Sequence, residues 1–102
     1  MRLTDALLHQ ALIALSGWSL VAVEGGTALS RRFELETYPE VLALAQLIAF
    51  AAERANHHPQ MQLDQHSLNI LWWSHSAKGV TAIDLELARL TERLATSFRL
   101  AP

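Results

Sequence analysis

Three histidines carry most of the chemistry this chain could do. His57 and His58 are adjacent in Glu53-Arg54-Ala55-Asn56-His57-His58-Pro59, and His75 follows later. Three imidazoles serve either a zinc site or proton transfer near neutral pH, where imidazole is the natural acid and base. Adjacent histidines in extended chain point apart, and no H-x-x-x-H spacing is present, so the pattern favours acid/base work over metal. Glu53 stands one helical turn before His57, where it can orient or charge-stabilise an imidazole; without the histidines it would be a solvated helix residue. Asp84 is first of all a helix cap. Trp18 and Trp73 read as packing residues. His9 and His66 read as solvent-exposed. There is no cysteine, which excludes disulfides and thiolate metal sites. No Gly-rich phosphate loop and no Ser- or Cys-based nucleophile arrangement is evident.

Alone, the histidine pair could simply favour a helix C-terminus, where cationic imidazole is stabilising. Strand register changes that. Met61 and Leu63, then Leu68, Ile70 and Trp72, alternate like two half-buried strands. A two-residue turn at Gln65-His66 pairs Asp64 with Ser67, Leu63 with Leu68 and Met61 with Ile70, so that apolar partners face each other. Extending that register brings His75 opposite Asn56, beside the histidine pair.

The elements that must hold this hairpin are also legible. Leu3, Leu7, Leu8, Ala11, Leu12 and Leu15 recur at helical spacing, with Thr4 as cap and Gly17 as a left-handed stop. Trp18 to Val23 reads as a strand, Glu24 to Thr27 as a turn, and Ala28 to Glu36 as the returning strand, whose apolar face (Leu29, Phe33, Leu35) is interrupted by Arg31. Thr37 and Glu40 form a capping box, with Pro39 harmless in the first turn. That helix runs to about Ala55, because Pro59 and the histidines cannot lie in its interior. Thr81 caps a last helix with Asp84 as its box partner; Ile83, Leu87, Leu90 and Leu94 form the inner stripe. The order implies an α+β fold, a four-stranded antiparallel sheet with three helices packed on one face. The other face, carrying Leu71 and Trp73, is then open to a partner subunit.

The 102 residues suffice for one domain, 1–102, and half of them are hydrophobic. A net charge of −2 gives no basic footprint for nucleic acid. No apolar run is long enough to span a bilayer. Asp5, His9 and Gln10 break up the apolar stretch from Ala6 to Leu15, so it reads as an amphipathic helix rather than a signal sequence. A cytoplasmic location is the expectation.

The run Glu53-x-x-Asn56-His57-His58-Pro59, with Ser74-His75 and Gly79-Val80-Thr81-x-x-Asp84, resembles the pterin-4a-carbinolamine dehydratase family, also called 4a-hydroxytetrahydrobiopterin dehydratases. Gly17-Trp18 fits the same pattern, and the resemblance covers roughly Gly17 to the last helix. It implies that His57, His58 and His75 are the catalytic imidazoles. It makes Glu53, Trp18 and Asp84 substrate-pocket residues. The implied reaction is loss of water from a tetrahydropterin hydroxylated at carbon 4a, which recycles the pterin of aromatic amino acid hydroxylases. That reaction needs no metal, nucleotide or other cofactor. The implied partners are a small-molecule pterin and further copies of the chain, as homodimer or homotetramer, without direct nucleic-acid or membrane binding. A second reading is a non-catalytic pterin-binding or dimerisation module, since vertebrate members also serve a homeodomain transcription factor. Met61 stands where the family commonly has an aromatic residue and Gln65 where it often has tyrosine; Trp72 and Trp73 replace smaller or aliphatic residues. These departures bear on substrate affinity and assembly.

Overall fold

The computed structural model describes residues 1–99. In chain order it forms α1 (Asp5–Ala14), β1 (Ser19–Val23), β2 (Gly26–Glu34), α2 (Tyr38–Ala55), β3 (Gln60–Leu63), β4 (Ser67–Trp72) and α3 (Ala82–Arg99). The strands make one antiparallel sheet in the order β1-β2-β4-β3. With three helices, this is the expected α+β arrangement. No helix among the described residues is long and apolar enough to cross a membrane.

Local signals explain where the elements begin and end. Thr4 Oγ1 accepts from Leu7 N at 3.3 Å at the start of α1, and Gly17 takes φ 88° beyond its end. Thr37 and Glu40 close the expected capping box at the start of α2. The first hairpin is tighter than its composition implied. Val23 pairs with Gly26 and Ala22 with Thr27, so the turn is only Glu24–Gly25, and β2 runs from Gly26 to Glu34. A positive φ at Gly25 alone, 83°, is enough to reverse the chain.

The core lies between the sheet and the helices. Leu29 and Phe33 of β2, and Leu68, Ile70 and Trp72 of β4, are buried against Val41, Leu44, Ile48 and Ala52 of α2 and Leu87, Ala88 and Ala95 of α3. Arg31, the charge on the apolar face of β2, has an internal partner. Its Nε donates to Glu92 Oε1 on α3 at 2.8 Å, and its guanidinium lies 4.4 Å from the Phe33 ring centroid. Trp18 Nε1 donates to the same carboxylate oxygen at 2.8 Å. A charged-looking interruption is thus a tie between the sheet and α3.

Candidate active site

The site begins where α2 ends. Asn56 adopts the left-handed conformation, φ 51° and ψ 42°, which Asn tolerates better than most residues. His57 N then donates to Ala52 O at 3.1 Å, closing the last helical turn. Pro59 prevents any return to helix. The chain enters β3 in the expected register, with Met61 opposite Ile70, Leu63 opposite Leu68 and Asp64 N bonded to Ser67 O.

His57 turns toward the helices. Its ring lies parallel to Trp72, with centroids 6.0 Å apart and planes at 11°. Trp72 is held by a hydrogen bond from Nε1 to Thr91 Oγ1 of 3.1 Å. Nε2 of His57 meets Asp84 Oδ1 at 2.6 Å. Asp84 is fully buried, while the His57 side chain is 20% exposed, so the pair runs from the interior to the surface. The other carboxylate oxygen, Oδ2, accepts from Thr81 N at 2.9 Å, Ser74 Oγ at 2.8 Å and Thr81 Oγ1 at 3.2 Å. The expected cap of α3 is therefore present in one half. Asp84 reaches back to the Thr81 N–H, while the Thr81 hydroxyl lies among Ser74 and Asp84.

With Asp84 ionised, its carboxylate only accepts, and Nε2 of His57 carries the hydrogen. In the neutral ring Nδ1 then bears the lone pair, and no described residue bonds to it. An imidazole held in this way can take a proton through Nδ1.

The other two imidazoles sit differently. His58 Nε2 meets Glu53 Oε1 at 2.9 Å, with the side chains 59% and 80% exposed. A pair so open to water holds little energy. His75 is exposed and packs on Trp73, with centroids 4.4 Å apart and planes at 37°. It lines an open cleft of about 730 Å³ with Val23, Glu24, Gly25, Gln60, Leu71 and Trp73. Trp72, the last residue of β4, is buried against Thr91 of α3, whereas Trp73, just beyond the strand, lines the cleft with Leu71. His57 and His75 therefore flank one end of the sheet from its two sides. Among the described residues no two of the three imidazoles are in hydrogen-bond or ring contact.

Of the residues singled out beside them, Glu53 joins His58 and Asp84 joins His57. Trp18 is buried on its Glu92 bond and an edge-on contact with Phe33 at 6.4 Å, and has no ring or hydrogen-bond contact with the histidines. Among the described residues, no group of three or more His, Cys, Asp or Glu side chains is placed to hold a metal ion. Two contributors escaped the sequence reading, the Ser74 and Thr81 hydroxyls on Asp84. The signal for Ser74 was available: the register that sets His75 opposite Asn56 also sets Ser74 opposite His57, on the same face.

Comparison with known proteins points to one family. The family model for pterin 4 alpha carbinolamine dehydratase matches residues 1–94. A protein of Rhodopseudomonas palustris (strain BisB18), provisionally named as such a dehydratase, is 37% identical over 92% of this chain and 91% of its own length. One of Nocardia farcinica, named in the same provisional way, is 36% identical over 91% of this chain and 94% of its own. The crystal structure of a transcriptional coactivator/pterin dehydratase from Brucella melitensis superposes with a TM-score of 0.84 at 30% identity, covering 93% of this chain and 99% of that one. A pterin dehydratase-like RuBisCO assembly factor of the alpha-carboxysome shares the fold, with a TM-score of 0.66 at 20% identity over 78% of this chain and 90% of that one. With a match over almost its whole length, the chain belongs to the pterin 4 alpha carbinolamine dehydratase family.

Proposed function

We propose that this chain is a hydro-lyase that removes water from a 4a-hydroxytetrahydropterin and releases the quinonoid dihydropterin. The N5–H proton passes to a base, the N5=C4a double bond forms, and the C4a hydroxyl leaves as water on protonation by an acid. His57, His58 and His75 supply these roles. Glu53 and Asp84 flank them, Asp84 acting through His57 because it is sealed from solvent, while Trp18, expected in the pocket, instead ties the sheet to α3 through Glu92. The observation that carries this reading is the 2.6 Å bond from His57 to buried Asp84, which leaves Nδ1 with a free lone pair. The cleft beside His75, walled by the Trp73 indole, supports a flat bicyclic substrate lying across the β3–β4 end. Positioned acid/base groups of this kind contribute about 10²–10⁴-fold in rate.

The chain acts in the cytoplasm, returning pterin to aromatic amino acid hydroxylases, and assembles as a homodimer or homotetramer. Leu42, Leu47 and Phe50 on the outward side of α2, 40–59% exposed, support self-association. Light scattering on Phe50→Glu checks that part, with a smaller particle expected. The activity is tested on the purified chain with freshly generated 4a-carbinolamine, followed by absorbance. Accelerated water loss that falls in His57→Ala, His58→Ala and His75→Ala is the expected result. A chain that binds pterin without speeding the reaction, or whose three variants all match the parent rate, would overturn the assignment.

A further inference from the structure

We infer that Ser74 and Thr81 are positioning residues that hold Asp84 in the one orientation that sets the His57 tautomer; their catalytic consequence rests on the proposed dehydration. The two hydroxyls form a short relay. Thr81 Oγ1 and Ser74 Oγ are 2.9 Å apart, and Ser74 Oγ donates to Asp84 Oδ2 at 2.8 Å. The better geometry has Thr81 donating to Ser74 and Ser74 to the carboxylate, since the direct Thr81–Asp84 contact is longer, at 3.2 Å. Successive hydrogen bonds polarise one another, so the last donor in such a chain is strengthened.

The carboxylate needs this restraint. Rotation about the Cβ–Cγ bond of Asp is soft, with a broad, two-fold profile. What stops Oδ1 from swinging away from His57 is the set of donors on Oδ2. One of these, the Thr81 backbone N–H at 2.9 Å, is supplied by the start of α3 itself. The others are hydroxyls, and a helix cap alone does not require them.

Ser74 is also placed to serve both sides of the sheet end. Its N–H donates to Gly79 O at 2.9 Å, and its carbonyl accepts from Gly79 N at 3.3 Å. That pair closes the loop that begins with His75. One residue thus fixes His57 through its side chain and the His75 loop through its backbone. Ser74 is 8% exposed, so it acts through these neighbours and not on a substrate.

The test reads the ring directly. Long-range proton–nitrogen spectra of the full chain with ¹⁵N-labelled histidine report which His57 nitrogen bears hydrogen in the neutral ring, without substrate. The parent protein is expected as the Nε2–H form. Ser74→Ala is expected to show a mixture of both neutral tautomers, Thr81→Val a smaller change in the same direction, and Ser74→Thr a return to the parent spectrum. An Nδ1–H form in the parent overturns the inference, even if no variant folds. So does a folded Ser74→Ala protein whose His57 signals match the parent, as a purely structural cap would give. These signals decide the matter even if the chain proves not to dehydrate pterins. If it does, Ser74→Ala lowers kcat by about 10- to 100-fold with KM little changed, and Ser74→Thr restores it. An unchanged kcat would overturn the catalytic half alone.

Discussion

Asp84 Oδ1 lies 2.6 Å from His57 Nε2, and only one of the two side chains reaches water. A carboxylate at the first turn of α3 thus orients an imidazole at the end of α2. Replacing it separates its two roles. In Asp84→Asn, the amide oxygen can keep accepting from Thr81 N–H and Ser74 Oγ only if the NH₂ group faces His57. His57 must then accept at Nε2 and carry its hydrogen on Nδ1. The expected outcome is a folded protein whose turnover falls by about 10²–10⁴-fold through the wrong tautomer. Asp84→Ala instead leaves buried donors unmet and removes the cap. It should cost about 2–4 kcal/mol of stability. Urea unfolding set beside turnover checks both, and Asn as destabilising as Ala would contradict the split.

The histidines should divide in the same experiment. His58 and His75 are exposed, and neither has a buried partner for its ring nitrogens among the described residues. Alanine at either position should lower turnover while moving the unfolding midpoint by no more than about 0.5 kcal/mol. His57→Ala removes the Trp72 contact and strips a donor from buried Asp84, so it should lose about 1–3 kcal/mol as well as activity. Equal destabilisation by all three substitutions would contradict this division.

The β3–β4 register was legible because Met61, Leu63, Leu68 and Ile70 allow only one pairing that buries them together. The end of α2 was legible from Asn56 and Pro59, and its start from Thr37 and Glu40. What escaped depended on residues distant in sequence. Arg31 looked like a defect in an apolar face until Glu92, on α3, came beneath it. Which imidazole lies on which side of the sheet was hidden too. It turns on Trp72 being buried against α3 while Trp73 lines the cleft, and on how the chain leaves a left-handed residue. The hairpin at Glu24–Gly25 was misjudged because Gly26 looked like a second turn glycine. Its reason is tertiary, since the loop after His75 packs against it.

That packing gives a prediction at Gly26. A Cβ there would stand 2.1 Å from Lys78 O, an atom of the backbone that cannot swing aside as a side chain would. Gly26→Ala must therefore push the hairpin tip and the His75 loop apart. A loss of about 1–3 kcal/mol is expected, with faster amide exchange from Ser76 to Gly79. At Gly25 a Cβ meets nothing within 4 Å, and only its φ of 83° is at stake. Gly25→Asn should therefore be much milder. Equal effects at the two positions would remove the tertiary explanation.

Asn56 sets the angle at which the chain leaves α2 for His57, and its left-handed φ of 51° is where residue type matters most. A β-branched residue is strained there, by about 1–2 kcal/mol. Asn56→Val is accordingly expected to lower Tm by roughly 4–16 °C for a domain of this size. Asn56→Gly takes the same φ freely and should keep both Tm and turnover near the parent values. Activity offers the sharper reading. The His57 N–H bond to Ala52 O depends on the turn at Asn56, so valine that escapes the strain by straightening the chain withdraws His57 from Asp84. Turnover should then fall further than the lost stability explains, measured well below the unfolding transition. If Asn56→Val lost only stability, the helix end would be holding the fold without aiming the imidazole.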